Sequence, residues 1–204
     1  HPNSRRQRQM CIRDRIQVMF DFGIKKVLLA NQLLGKSHLE TIASYINQNK
    51  NFSFYCFVDS IEQFLNIKKN LVDQNLTNPI YLLPEIGAEN GRTGIRKKED
   101  FLKLVNIIGE DSSKNFTFAG ISSYEGIAAV AMKGSDAVHD FCSKIEDIIN
   151  DIPSNYYSHL NELLITAGGS THFDIVGARF SKIKVNVPIK VLLRSGCYIT
   201  HDHG

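Results

Sequence analysis

The chain has 204 residues, of which 43% are hydrophobic and 22% are charged, as in an ordinary globular domain with a sizeable core. No apolar run approaches the ~20 residues that cross a bilayer, and no basic segment leads into an apolar one as in a signal peptide. The four cysteines form no CxxC pair. These features argue against a membrane protein, a zinc ribbon and a disulfide framework, and we expect a cytoplasmic protein.

The net charge of +3 comes from the amino-terminal segment. Residues 1–15 hold five arginines and one aspartate, so the rest of the chain has a formal net charge of −1. A basic tail can be a nucleic-acid-binding arm, but residues 4–14 resemble translated sequencing-adapter read-through. We therefore treat residues 1–15 as a non-native tail and expect no nucleic-acid partner.

Six short apolar runs predict strands that are buried on both faces. They cover residues 27–30, 52–58, 80–85, 116–120, 163–167 and 191–194. Helical patterns alternate with them, over residues 16–22, 37–48, 60–75 and 98–109, in a long stretch that ends near 152, and in a short one from 173. This alternation favours parallel strands with right-handed crossovers, so the predicted fold class is α/β.

Two of the predicted helices begin with a capping-box pattern. Ser37 is followed three residues later by Glu40, and Ser60 is followed by Gln63. We expect both serines to cap their helices. At the other end of the chain, Pro153 ends the long helical stretch.

Polar and glycine residues follow the last two predicted strands, at the end of a parallel barrel where chemistry takes place. The fifth strand is followed by Gly168, Gly169, Ser170 and Thr171. Backbone N–H groups and hydroxyls of this kind can hold a phosphate, although a tight turn is the alternative. Arg194 ends the sixth strand and adds a fixed cation, and Ser195 and Gly196 follow it. Together the two strand ends favour a ligand that carries a phosphate.

Three further strand ends carry candidate binding residues. Arg92 lies in a glycine-rich loop, where it could clamp a carboxylate or a phenolate oxygen or simply be a surface arginine. Tyr124 and Glu125 could supply a stacking ring and a polar contact, or Tyr124 could only cover the barrel mouth. Asn31 and Gln32 are uncharged, which indicates binding rather than proton transfer.

A metal site is the weaker interpretation of the carboxyl-terminal residues. His201, Asp202 and His203 include competent ligand types, but no complementary cluster lies upstream. We expect a polar loop there and no metal in this chain. His172, beside the glycine run, is either a ligand contact or merely exposed.

Five segments, taken in order, resemble the barrel domain of the alanine racemase-like, fold-type III pyridoxal-phosphate (PLP) enzymes. The likeness is closest to the branch of D-threonine aldolase and D-serine dehydratase, which includes amino-acid deaminases. The segments are residues 26–32, 54–60, 91–94, 168–174 and 193–198. The resemblance extends over about residues 16–204 and implies an incomplete (β/α)8 TIM-type barrel that contains strands three to eight.

The resemblance also implies roles for individual residues. Arg194 would lie against the pyridine ring, and Arg92 would approach the phenolic oxygen of the cofactor or the substrate carboxylate. Tyr124 and Tyr198 would lie close by. The phosphate would be surrounded by Gly168, Gly169, Ser170, Thr171, Gly196 and Cys197.

Two parts of the family pattern fall outside this sequence. The Schiff-base lysine ends the first barrel strand, upstream of this chain, and Lys25, Lys26 and Lys36 are not placed to replace it. The second, β-rich domain, which holds a divalent, zinc-like metal in this branch, would lie beyond Gly204. We therefore expect an internal fragment that is inactive by itself.

The parent protein, as the resemblance implies, is a PLP-dependent lyase, aldolase, dehydratase or deaminase that acts as a homodimer on a D-amino acid such as D-serine or D-threonine. The residues do not distinguish elimination, aldol cleavage and racemisation. Two alternatives remain open at this point. One is a non-catalytic PLP-binding barrel, and the other is a PLP-independent barrel enzyme for a sugar phosphate.

Overall fold

The computed structural model describes residues 12–89, 91–126 and 135–196. The strands are β1 (Lys26–Gln32), β2 (Ser53–Val58), β3 (Ile80–Ile86), β4 (Phe116–Phe118), β5 (Gly120–Ser123), β6 (Leu163–Ala167) and β7 (Ile189–Leu193). The helices are α1 (Ile12–Asp21), α2 (Lys36–Gln48), α3 (Ile61–Asn70), α4 (Lys98–Gly109), α5 (Ser135–Asn150) and α6 (Phe173–Phe180), with a 3₁₀ turn at Ser154–Tyr156. No helix in these ranges is long and apolar enough to cross a membrane.

The strands form one parallel sheet in the order β1-β2-β3-β5-β6-β7, with β4 paired beside β3. Neighbours in the sheet follow the order of the chain, and helices connect most of them. The predicted α/β class and parallel pairing are therefore confirmed. The result is a half-barrel whose edge strands, β1 and β7, each pair with a single described neighbour.

The fourth predicted strand is divided in two, which corrects the single run expected at residues 116–120. Gly120 has a φ of 145°, and a Cβ atom there would lie 1.7 Å from the carbonyl oxygen of Leu164. Ala119 meanwhile donates its N–H to the carbonyl of Leu82 at 3.0 Å. The bend at Gly120 lets the first half pair with β3 and the second half reach β6.

One of the two predicted caps is wrong and the other is confirmed. Helix α2 begins at Lys36 after Gly35, whose backbone serves as the cap, and Ser37 lies inside the first turn. In contrast, the Ser60 side chain accepts a hydrogen bond from the Gln63 N–H at 3.1 Å. The helix that Ser60 caps ends at Asn70 instead of residue 75.

The side chains of each strand alternate between two faces of the sheet. On β2, Phe54, Cys56 and Val58 pack into the hydrophobic core that the sheet shares with the helices. Tyr55 and Phe57 point to the opposite face, called the inner face here. The helices contribute buried stripes to that core, and those of α4 are Phe101, Leu104, Val105 and Ile108, as predicted.

The amino-terminal end of the inner face holds a separate charged cluster. Lys26 and Lys190 lie 3.9 Å and 3.1 Å from the carboxylate of Glu162, and the rings of Tyr55 and Tyr81 stack nearby at 4.6 Å. These residues line a cavity of about 550 Å³. Lys26 thus lies at the end of the sheet opposite to the strand ends that the sequence singled out.

Candidate functional site

A cleft of about 480 Å³ lies at the carboxyl ends of the strands. Four of the residues that the sequence pointed to line this cleft, and they come from the ends of β1, β3, β5 and β7. They are Asn31, Arg92, Tyr124 and Arg194. The sheet therefore brings together side chains that are far apart in the chain.

Arg194 is the most constrained cation of this cleft. Its backbone N–H donates to the carbonyl of Gly168 at 3.0 Å, and its guanidinium donates to the carbonyl of Ser123. The guanidinium carbon lies 5.2 Å from the centre of the Phe57 ring, at cation–π distance. Its Nε–H is buried and has no partner among the described residues, so one directed donor remains available beside the cleft.

Charges of both signs surround that guanidinium. Burial lowers the pKa of Arg194, while the nearby carboxylates of Glu85 and Glu125 oppose this shift. Burial raises the pKa of Glu85. The Thr93 hydroxyl donates to Glu85 at 3.1 Å and partly offsets that effect, whereas the charge of Asp59 reinforces it. Glu85 lines the cleft although the sequence analysis gave it no role.

The loop that carries Arg92 is held in shape by a residue that the sequence analysis missed. Arg96 donates to the carbonyl of Thr93 at 2.9 Å and also to the carbonyls of Gly91 and Gly94. Gly94 has a φ of 87°, which an L-residue adopts only with strain. Arg92 itself is exposed and projects at the rim of the cleft.

Asp59 connects that loop to the end of β1. Its Oδ2 accepts hydrogen bonds from the Gln32 side-chain amide at 2.5 Å and from the Gly94 N–H at 3.2 Å. Gln32 was predicted as a ligand-binding residue, but in the structure it fixes the neighbouring strand end. Asn31 is the member of the pair that lines the cleft.

The predicted phosphate loop already binds an anion from the chain. Glu125 is 1% exposed, and its carboxylate accepts hydrogen bonds from the N–H groups of Gly168 at 3.0 Å and Gly169 at 2.6 Å. The Ser195 hydroxyl donates to the carbonyls of the same two glycines at 3.2 Å and 3.0 Å. Both glycines therefore have a structural role at the junction of β5, β6 and β7.

The other predicted phosphate ligands lie just beyond this junction. The Gly196 N–H donates to the Ser170 hydroxyl at 3.3 Å, and Thr171 is exposed. His172 is half-buried and directly precedes α6. Cys197, Tyr198 and the residues His201, Asp202 and His203 lie outside the described residues. Within the described ranges, no group of three or more His, Cys, Asp and Glu side chains is placed to hold a metal.

No protein-family model matches the sequence, and no curated protein matches it. Solved structures do match the fold. The chain superposes on D-threonine aldolase from Filomicrobium marinum with a TM-score of 0.65 and 21% identity, covering 89% of this chain and 45% of that one. The described part of the chain has the fold of an alanine racemase-like barrel.

A second structure gives the same result. Alanine racemase from E. faecalis superposes with a TM-score of 0.57 and 12% identity, covering 88% of this chain and 43% of that one. At these identities the likeness establishes the fold. The chain spans less than half the length of either protein.

Proposed function

We propose that this chain is the cofactor-binding part of a fold-type III PLP enzyme, a lyase or deaminase for D-amino acids similar to D-serine or D-threonine. The observation that supports it best is the position of Arg194. A half-buried guanidinium just after β7, whose buried Nε–H has no partner among the described residues, suits a ring nitrogen placed in the cleft. The fold supports the same proposal, because the strand ends form one cleft of about 480 Å³.

The residues present fit the ring of PLP. Arg194 would donate a hydrogen bond to the pyridine nitrogen, and because a guanidinium does not release its proton at neutral pH, that nitrogen would stay unprotonated. Arg92 at the rim would bind the phenolic oxygen or the substrate carboxylate. Tyr124, which is 45% exposed, would cover one side of the ligand. When bound, PLP supplies an electron sink for the bonds at the substrate Cα.

The phosphate position proposed from the sequence needs adjustment. The N–H groups of Gly168 and Gly169 are bonded to Glu125, so we assign the phosphate to the residues that follow them. Ser170 and Thr171 lie there at the surface end of the junction, and the Gly196 N–H donates to the Ser170 hydroxyl. We propose that Gly168 and Gly169 position these donors without contacting the phosphate.

The covalent lysine of such an enzyme has no counterpart in the described cleft. The residues that line the cleft include no lysine, Lys26 lies at the opposite end of the sheet near Glu162, and Lys36 pairs with Glu40 on α2. We propose that a strand carrying this lysine pairs with the open edge of β1. We also propose that the whole enzyme is a homodimer and that any metal it binds is held by a further domain.

Equilibrium dialysis tests the cofactor assignment directly. The chain is dialysed against PLP, against pyridoxal and against a sugar phosphate, and bound ligand is measured by absorbance. We expect PLP to bind better than pyridoxal, and Arg194→Gln to weaken PLP binding by about tenfold or more, as expected for the loss of a charge-assisted contact. Arg15→Gln, which changes an exposed arginine on α1, is the control. Binding of the sugar phosphate but not of PLP would contradict the proposal.

A further inference from the structure

Three polar residues lie side by side on the inner face of the sheet, just below the cleft. Glu85 of β3 is in register with Ser122 of β5, and Ser122 is in register with Thr166 of β6. Ile121 and Ile165, their neighbours along the strands, pack into the core beneath the helices. Because side chains alternate along a strand, Ser122 and Thr166 point to the inner face, where Glu85 lines the cleft.

Both hydroxyls of this row are deeply buried. Ser122 and Thr166 are each 0% exposed, and neither hydroxyl oxygen has a hydrogen-bond partner among the described residues. A buried polar group without a partner costs about 1–3 kcal/mol, so two of them on adjacent strands indicate a binding site. Ser123 also has an unpartnered hydroxyl, but it follows Ser122 directly and points to the other face.

The chemistry of the row selects water as its ligand. A hydroxyl both donates and accepts, and an internal water needs two to four polar partners, which the two hydroxyls and the carboxyl can supply. The cations Arg92 and Arg194 act on Glu85 from the cleft side, which disfavours a bound metal ion at the same place. We propose that Glu85, Ser122 and Thr166 bind internal water beneath the cleft.

Charges of both signs and one hydrogen bond act on the Glu85 carboxyl beside this proposed water. Asp59, after β2, adds a like charge, whereas Arg92 after β3 and Arg194 after β7 favour the ionised form, as does the hydrogen bond from Thr93. Burial is the largest effect, and the pKa of Glu85 is raised. If the proposed function holds, this water site lies at the floor of the cofactor site, with Glu85 between the water and the cleft.

The test is a pH titration of the side-chain carboxyl carbons by NMR, on the chain labelled with ¹³C-glutamate and without added cofactor. Glu85→Gln identifies the Glu85 resonance. Removing a hydroxyl removes a partner of the water that donates to the ionised carboxylate, so Thr166→Val and Ser122→Ala should each shift the Glu85 midpoint upward. Thr166→Ser keeps a hydroxyl and should leave the midpoint close to that of the wild type.

Thr117→Val is the matched control, because Thr117 lines the cavity at the opposite end of the sheet. This variant should leave the Glu85 midpoint unchanged. Magnetisation transfer from water to the Ser122 and Thr166 amide protons should also be seen, and it should weaken in Ser122→Ala. Equal midpoints in Thr166→Val, Ser122→Ala and the control would overturn the proposal. If Thr166→Val fails to fold, the Glu85 midpoints of Ser122→Ala and Thr166→Ser can be compared instead.

The dialysis experiment separates this proposal from the proposed function. If the chain does not bind PLP but the midpoint shifts are present, the proposed function is rejected and the water site stands.

Discussion

The carboxylate oxygen Oε1 of Glu125 lies 2.6 Å from the backbone nitrogen of Gly169. Successive backbone N–H groups after a strand commonly bind phosphate, but here a side chain of the same chain binds them. The contact joins the segment after β5 to the segment after β6. The strand ends that shape the cleft are therefore fixed to each other before any ligand is present.

Glu125→Gln should lower the free energy of unfolding by about 2 kcal/mol. The amide has one acceptor where the carboxylate has two, so its NH₂ group must face the N–H of either Gly168 or Gly169. Urea denaturation measures the effect. Glu162→Gln is the control, because the ion pairs of Glu162 with Lys26 and Lys190 are solvent-accessible. This substitution should cost less than about 1 kcal/mol. Equal losses in the two variants would contradict the role given to Glu125.

Gly120→Ala should destabilise the chain by about 3 kcal/mol or more. The new Cβ would meet the carbonyl of Leu164 at 1.7 Å, and the φ of 145° is unfavourable for alanine. Gly177→Ala is a matched substitution inside α6, where the nearest atom to the new Cβ is 3.9 Å away. It should stabilise the helix by up to about 1 kcal/mol. Thermal unfolding of both variants checks the pair, and a tolerated Gly120→Ala would disprove the bend.

Glu85 should make the folded state less stable as the pH rises. Because its pKa is raised on folding, its contribution is fully present below the ordinary carboxyl pKa and is lost as the pH passes the folded-state value. Glu85→Gln mimics the protonated form, so the variant should be more stable than the wild type at neutral pH, and this advantage should disappear in acid. Urea midpoints across that range measure it. Glu89→Gln, at an exposed position after the same strand, should show no such dependence.

Cys56 and Cys142 should be unreactive in the folded chain. Burial raises the pKa of Cys56 to about 12 and that of Cys142 to about 11, so the reactive thiolate is depleted by about a hundredfold or more relative to a free thiol. Labelling with a thiol reagent in a Cys11→Ser, Cys197→Ser background should be slow until denaturant is added. Rapid labelling of either thiol in the folded chain would show that the core opens there.

The central strands were predictable because most of their side chains are buried on both faces, and this leaves apolar runs in the sequence. The bend at Gly120 was not predictable, because the sequence around a glycine in an apolar run does not indicate its φ angle. Arg194 was found because it directly follows β7, and Arg92 because it lies in the glycine-rich loop after β3. The sequence predicted only a polar contact for Glu125. Its partner Gly168 lies 43 residues away, and no local sequence pattern indicates such a bond.

The bond between Arg194 and the carbonyl of Ser123 joins residues 71 positions apart, whereas β1 and β2 pair across about 27 positions. Closing the longer loop costs more entropy, and long-range contacts form late in folding. During synthesis, β7 must leave the ribosome before the guanidinium can reach its place. The half of the sheet from β1 to β3 can therefore form before the charged floor of the cleft exists.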